Sequence, residues 1–138
     1  MELINKQPFI GLIGGGMWGK NLIREFANLN VLHTICDLDD SILESNKAKY
    51  PSINITKSWD YILKEQTITA VCVSLPVELH YKFCKSALQN NKNVFVEKPM
   101  ALLDEHCDEL IELARNNKKI LMVGIYCNII HVFKKYIN

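Results

Sequence analysis

The sequence predicts an α/β fold, a doubly wound parallel sheet held in a single domain. Three observations carry that expectation. Short apolar runs alternate with amphipathic stretches, the runs are apolar on both faces, and a glycine cluster follows the first of them. Strands without a polar face need cover on both sides, which a parallel sheet between two helical layers supplies. At 138 residues the chain is long enough for one proper core.

The elements follow in order. Phe9 to Ile13 is a short apolar run that ends at glycines, and it reads as a buried strand. Over residues 17–28, Leu22, Ile23 and Phe26 recur at helical spacing. Val31 to Cys36 is the second strand and ends at Asp37. Asp39 or Asp40 caps a helix over 41–49, which stops before Pro51. Ser58 caps a short helix through Leu63. Ala70 to Ser74 is the most strand-like run of all. Leu79, Phe83, Ala87 and Leu88 mark one side of the next helix, and Asn93 to Val96 is another strand. Asp104 caps a helix whose Cys107, Leu110, Ile111 and Ala114 fall at i, i+3, i+4 and i+7. Ile120 to Val123 is the last clear strand. The domain is expected over 1–124, with a crossover or tail helix at 125–138.

Composition narrows the class. The net charge is +1, and the basic doublets Lys118-Lys119 and Lys134-Lys135 read as solvated helix ends. No basic stripe suggests a nucleic-acid partner. No apolar run is long enough to span a bilayer, and Met1 to Pro8 is too polar for a signal peptide. The five cysteines, Cys36, Cys72, Cys84, Cys107 and Cys127, are odd in number and form no Cys-x-x-Cys pair. Reduced thiols in a cytoplasm are favoured over disulfides or a zinc site, so no metal is expected.

The glycine cluster carries the first chemistry. Gly14-Gly15-Gly16-Met17-Trp18-Gly19 contains G-x-G-x-x-G, with Gly14, Gly16 and Gly19 in the three roles. Gly14 permits the tight turn off the strand, Gly16 lets backbone approach a pyrophosphate, and Gly19 lets the helix lie close on the strand. Met17 and Trp18 open that helix, whose free N–H groups and positive dipole end face the phosphates. Glycines in a sharp bend also serve the bend alone. Here a strand precedes, a helix follows, and an acid ends the second strand, which favours a Rossmann-type dinucleotide site. Asp37 is that acid, placed to accept hydrogen bonds from the adenosine ribose. Its charge disfavours a 2′-phosphate and no Arg follows it, so NAD is expected rather than NADP. The plainer alternative makes Asp37 a helix cap, as for Asp39 and Asp40.

A second constellation lies at the end of a later strand, where Glu97-Lys98-Pro99 follows Val94 to Val96. Strand carboxyl ends line the ligand crevice of a parallel sheet, and a proline there allows a cis bond. Taken alone, the pair reads as a solvated Glu and Lys on a loop.

With these motifs the chain resembles the N-terminal domain of the Gfo/Idh/MocA oxidoreductases, over about Ile10 to Gly124. The match includes the glycine turn, Cys36-Asp37, Val73 to His80, Glu97-Lys98-Pro99 and Met122-Val123-Gly124. The Glu-Lys-Pro turn is the specific signal, since many families share the glycine turn. The family oxidises or reduces sugars, cyclitols and related hydroxyl compounds with NAD(P). The resemblance implies that Ser74, Leu75 and Pro76 form the loop along the adenosine and ribose. It places Glu97 near the nicotinamide ribose and makes Lys98 the catalytic residue that meets both nicotinamide and substrate. His80 fits the family's Pro-x-x-x-His pattern and is counted with the cofactor residues, with a structural role inside the loop preferred for it.

The family carries a second domain that shapes the substrate pocket and supplies Asp and His partners of the lysine. This sequence is read as lacking it. After Gly124 it departs from the family, with Ile125 to Val132 in place of a proline-led helix. His131 is a weak candidate for a replacement base. The apolar face of the tail is expected to pack on this domain, on a second copy or on a partner chain. Three readings stay open: an NAD-dependent oxidoreductase represented by its cofactor domain, a non-catalytic module or remnant that binds NAD or a partner, and a decaying gene product.

Overall fold

The structure is a computed structural model that describes residues 7–124. The tail helix, His131 and the proposed association surface lie outside the described residues. Among the described residues six strands and five helices alternate: β1 (Ile10–Ile13), α1 (Gly19–Asn28), β2 (Leu32–Cys36), α2 (Asp40–Lys49), β3 (Asn54–Thr56), α3 (Trp59–Lys64), β4 (Ala70–Val73), α4 (Val77–Gln89), β5 (Asn93–Glu97), α5 (Asp104–Asn116) and β6 (Leu121–Gly124). All strands are parallel, in the order β3-β2-β1-β4-β5-β6. The expected doubly wound α/β sheet is therefore the observed one.

The period-2 pattern of the strands splits the core into two layers. Ile10 and Leu12 of β1, Ile35 of β2, Cys72 of β4 and Phe95 of β5 pack with Ile23 and Phe26 of α1 and Leu43 of α2. Ile13, Val71, Val73, Val94 and Val96 face the other way, onto Ile62, Cys84, Ala87, Leu88, Leu110 and Ala114 of α3, α4 and α5. Both faces of the central strands are dry, which is why their sequences show no polar alternation.

Two helix starts follow the capping expectation. The Asp39 carboxylate accepts the Ser41 N–H at 2.8 Å, and the Ser58 hydroxyl accepts the Tyr61 N–H at 3.2 Å. The start of α5 differs. Leu103 is its cap residue and makes no side-chain cap bond, while Asp104 stands in the first turn, where its charge faces the positive helix end. Helix α1 begins at Gly19 rather than residue 17, because Met17 and Trp18 belong to the glycine turn. The buried stripe of α4 is His80, Cys84, Ala87 and Leu88; Leu79 is exposed and Phe83 half-buried. In α5, Leu110 and Ala114 are buried and Ile111 is exposed. Strand β3 was not expected. Its three residues are polar or half-exposed and pair only with β2, so no apolar run announces it.

Candidate functional site

In this strand order β1 lies between β2 and β4, so the connections leaving β1 and β4 run in opposite directions and open a crevice at their carboxyl ends. The glycine turn leaves β1 at that crevice. Gly14 has φ +96°, and a Cβ there would lie 2.0 Å from the Ser74 carbonyl oxygen. Its N–H donates to the Cys36 carbonyl at 3.0 Å. A Cβ on Gly19 would lie 1.8 Å from the Gly14 carbonyl oxygen, so α1 rests directly on the turn. These two glycines are required by the protein's own backbone.

Gly16 is different. It is exposed, and a Cβ there would meet nothing within 4 Å. Among the described residues no atom calls for glycine at this position, whereas a group lying against the turn would. Beside it, α1 starts without a side-chain cap bond at Trp18 and without an acid in its first turn, so no residue of the helix itself offsets its positive end. The open space over Gly16 and the uncapped helix end fit a pyrophosphate. Met17 and Trp18 are 80% and 52% exposed there.

Asp37 links this turn to β2. One carboxylate oxygen accepts the Gly15 N–H at 2.8 Å and the other accepts the Asp39 N–H at 2.9 Å. It does not cap α2; Asp39 does. A carboxylate has about four acceptor positions, which leaves room for hydroxyl donors. The G-x-G-x-x-G spacing assigns no role to Gly15. A Cβ there would lie 2.6 Å from Ile42 Cγ2, so α2 closes over the turn at that point. The three adjacent glycines gave a hint of this, but only the packing separates their roles.

The Ser74-Leu75-Pro76 loop closes the other side. The Ser74 N–H donates to the Ile13 carbonyl at 2.9 Å, and Pro76 leads into α4. On the next strand, the Lys98–Pro99 bond is cis. Glu97 is half-buried at the end of β5, next to Gly124, where a Cβ would lie 3.2 Å from a Glu97 carboxylate oxygen. Burial pushes the Glu97 carboxyl up, and the charge of His80, the Lys98 backbone N–H and the Lys98 charge offset part of that shift. Lys98 itself is exposed.

His80 is 1% exposed. Its Nδ1 lies 2.7 Å from the Pro99 carbonyl oxygen and its Nε2 lies 2.7 Å from the Leu75 carbonyl oxygen. Both ring nitrogens face carbonyl oxygens of the protein, so His80 braces the Leu75 and Pro99 loops from behind. The other anticipated site residues within the described part of the chain lie on the same carboxyl edge of the sheet, after β1, β2, β4 and β5. Among the described residues, no three His, Cys, Asp or Glu side chains gather as metal ligands, and no helix is long and apolar enough to cross a membrane.

Fold and site together define a dinucleotide-binding Rossmann domain. The chain belongs to the Gfo/Idh/MocA oxidoreductase family, whose model of the NAD-binding Rossmann fold matches residues 9–125. It is 30% identical over 136 residues to an uncharacterized oxidoreductase of Streptococcus pneumoniae serotype 4, covering 93% of this chain and 35% of that one. It is 31% identical over 126 residues to a glycosyl hydrolase family 109 protein of Shewanella baltica, covering 83% and 27%. Among solved structures, GenD2 from gentamicin A biosynthesis, in complex with NAD, superposes with a TM-score of 0.82 at 22% identity, over 89% of this chain and 36% of that one. The chain thus spans about a third of the length of the relatives it matches.

Proposed function

We propose that this chain binds NAD across the glycine turn and is the cofactor domain of an oxidoreductase that transfers hydride to or from a hydroxyl-bearing carbon of a sugar, cyclitol or related compound. The observation that carries the reading is the open space over Gly16, flanked by glycines that the backbone itself demands. The bound nicotinamide would supply the hydride acceptor or donor. The first turn of α1, with Gly16, Met17 and Trp18, holds the pyrophosphate. The Asp37 carboxylate, fixed by Gly15 and Asp39, accepts from the adenosine ribose hydroxyls and repels a 2′-phosphate. Ser74, Leu75 and Pro76 line the path between the two ends. Glu97 accepts from the nicotinamide ribose, and Lys98 reaches out to orient the substrate oxygen, its neutral amine taking the hydroxyl proton on oxidation and its ammonium returning a proton on reduction.

The buried thiols support a reducing, cytoplasmic setting. Cys36, Cys72 and Cys84 are buried and separate from any disulfide, and burial pushes Cys36 up to about 11 and Cys84 up to about 12. Calorimetric titration of the folded chain with NADH and NADPH, repeated on Asp37→Ala, tests the reading. NADH binding tighter than NADPH, weakened in Asp37→Ala, is the expected result. Equal affinity for the two would refute the Asp37 selectivity, and no binding of either would refute the function. NADH binding without turnover of any polyol would favour the non-catalytic module.

A further inference from the structure

The Pro-x-x-x-His pattern has no part in the chemistry above, and its geometry points to one. His80 is the fourth residue of α4, yet its ring reaches two loops at once. One acceptor, the Leu75 carbonyl, follows β4; the other, the Pro99 carbonyl, follows β5, the neighbouring strand. A carbonyl oxygen only accepts hydrogen bonds. A neutral imidazole donates from one nitrogen and turns a lone pair outward from the other. At 2.7 Å that lone pair would repel one of the two carbonyls. An imidazolium donates to both, through short charge-assisted bonds.

A buried cation needs a counter-charge. The carboxylate nearest in sequence to this turn is Glu97 at the end of β5, where the His80 charge lowers the carboxyl against the larger upward effect of burial. The surroundings are otherwise sparse in charge. On the β4 side the neighbours Ser74 and Leu75 are uncharged, and on the β5 side Lys98 follows Glu97. Along its own helix the nearest titratable group in the buried stripe is the Cys84 thiol, which burial keeps protonated. Tyr81, Lys85, His106 and Glu109 form a separate cluster between α4 and α5.

We propose that His80 is a positioning residue that acts as a buried imidazolium, tying the Leu75 and Pro99 carbonyls together so that the Glu97–Lys98 turn is set for the nicotinamide end of the cofactor. The inference rests on the proposed cofactor reading and adds to it a proton-dependent brace. Loss of one ring proton frees one carbonyl, loosens one loop and lowers NADH affinity. Affinity is therefore higher when the ring carries two protons than when it carries one.

The test uses the full chain labelled with 15N at histidine, with the His80 signals assigned by their loss in His80→Gln. NMR spectra across pH report whether both ring nitrogens carry protons, and NADH affinity is measured over the same pH range. The proposal expects both nitrogens protonated where binding is tight. It expects affinity to fall about tenfold across the interval in which the second proton is lost. In His80→Gln that pH step disappears and affinity stays at the weakened level. A single neutral tautomer at the pH of tight binding would overturn the proposal, and this arm needs no variant to fold. NADH binding by His80→Gln with wild-type affinity and pH profile would overturn it too. If the folded wild-type chain binds no NADH, the cofactor reading fails, and the positioning role with it.

Discussion

Replacing each glycine of the turn by alanine separates what the fold needs from what a ligand needs. A Cβ on Gly19 lies 1.8 Å from the Gly14 carbonyl oxygen, and one on Gly14 lies 2.0 Å from the Ser74 carbonyl oxygen. Both obstacles are backbone, so no side-chain rotation relieves them. Each contact falls about 1 Å short of the closest tolerated approach, so α1 must lift off β1 or β4 must part from it. Lifting α1 disturbs Ile23 and Phe26, which are buried against the sheet. Overpacking of this type costs about 1–3 kcal/mol or more. Gly14 adds roughly 1–2 kcal/mol because an L-residue resists its φ of +96°. We expect Gly14→Ala and Gly19→Ala to lose about 3 kcal/mol each, a fall of roughly 10 °C in Tm for a domain of this size. Gly16→Ala meets nothing within 4 Å and should leave Tm within about 2 °C of wild type. Its methyl group nevertheless occupies the space assigned to the pyrophosphate, so NADH affinity should fall at least about tenfold. Thermal denaturation and NADH titration of the three variants are the assays. A Gly16→Ala chain with wild-type NADH affinity would refute the assignment, and a Gly14→Ala chain with wild-type Tm would refute the steric argument.

Three further outcomes are expected. Burial holds Cys36, Cys72 and Cys84 as neutral thiols, so an alkylating reagent at pH 7.5 should modify the half-buried Cys107 first and reach those three only after denaturant is added, as read by peptide mass mapping. The Ser41 hydroxyl and N–H hold the Asp39 carboxyl below its usual 3.8, so this carboxylate contributes stability above that value and loses it as pH falls through the lowered one; the stability gap between wild type and Asp39→Asn in urea should close in that acid range. Lys118 ends α5 at φ 54°, a conformation glycine adopts without strain, so Lys118→Gly should raise stability by about 0.5–1 kcal/mol in the same urea measurement.

Much of this molecule is legible before folding. The central strands are dry on both faces, so their positions follow from apolar runs alone, and the glycine spacing marks the crevice. Glu97-Lys98-Pro99 could be placed at a strand end because Val94 to Val96 is unmistakable. What stayed hidden was carried by polar residues in apolar roles. His80 begins the buried stripe of α4, and its polarity shifted the expected stripe toward Leu79. Asn54 to Thr56 form an edge strand without an apolar signal. Asp37 was read as facing a ligand, whereas its bonds to Gly15 and Asp39 first build the turn itself. Gly15 answers to Ile42 on another helix, a contact no local pattern contains.

A nicotinamide dinucleotide lying over the glycine turn must perturb the amides that line it. Amide chemical-shift mapping of the 15N-labelled chain during NADH titration tests it most directly. The largest shifts are expected at Gly15, Gly16, Met17, Trp18 and Gly19, with further shifts at Asp37, Ser74, Leu75 and Lys98. Saturable binding whose shifts fall elsewhere, or a folded chain whose spectrum NADH leaves unchanged, would contradict it.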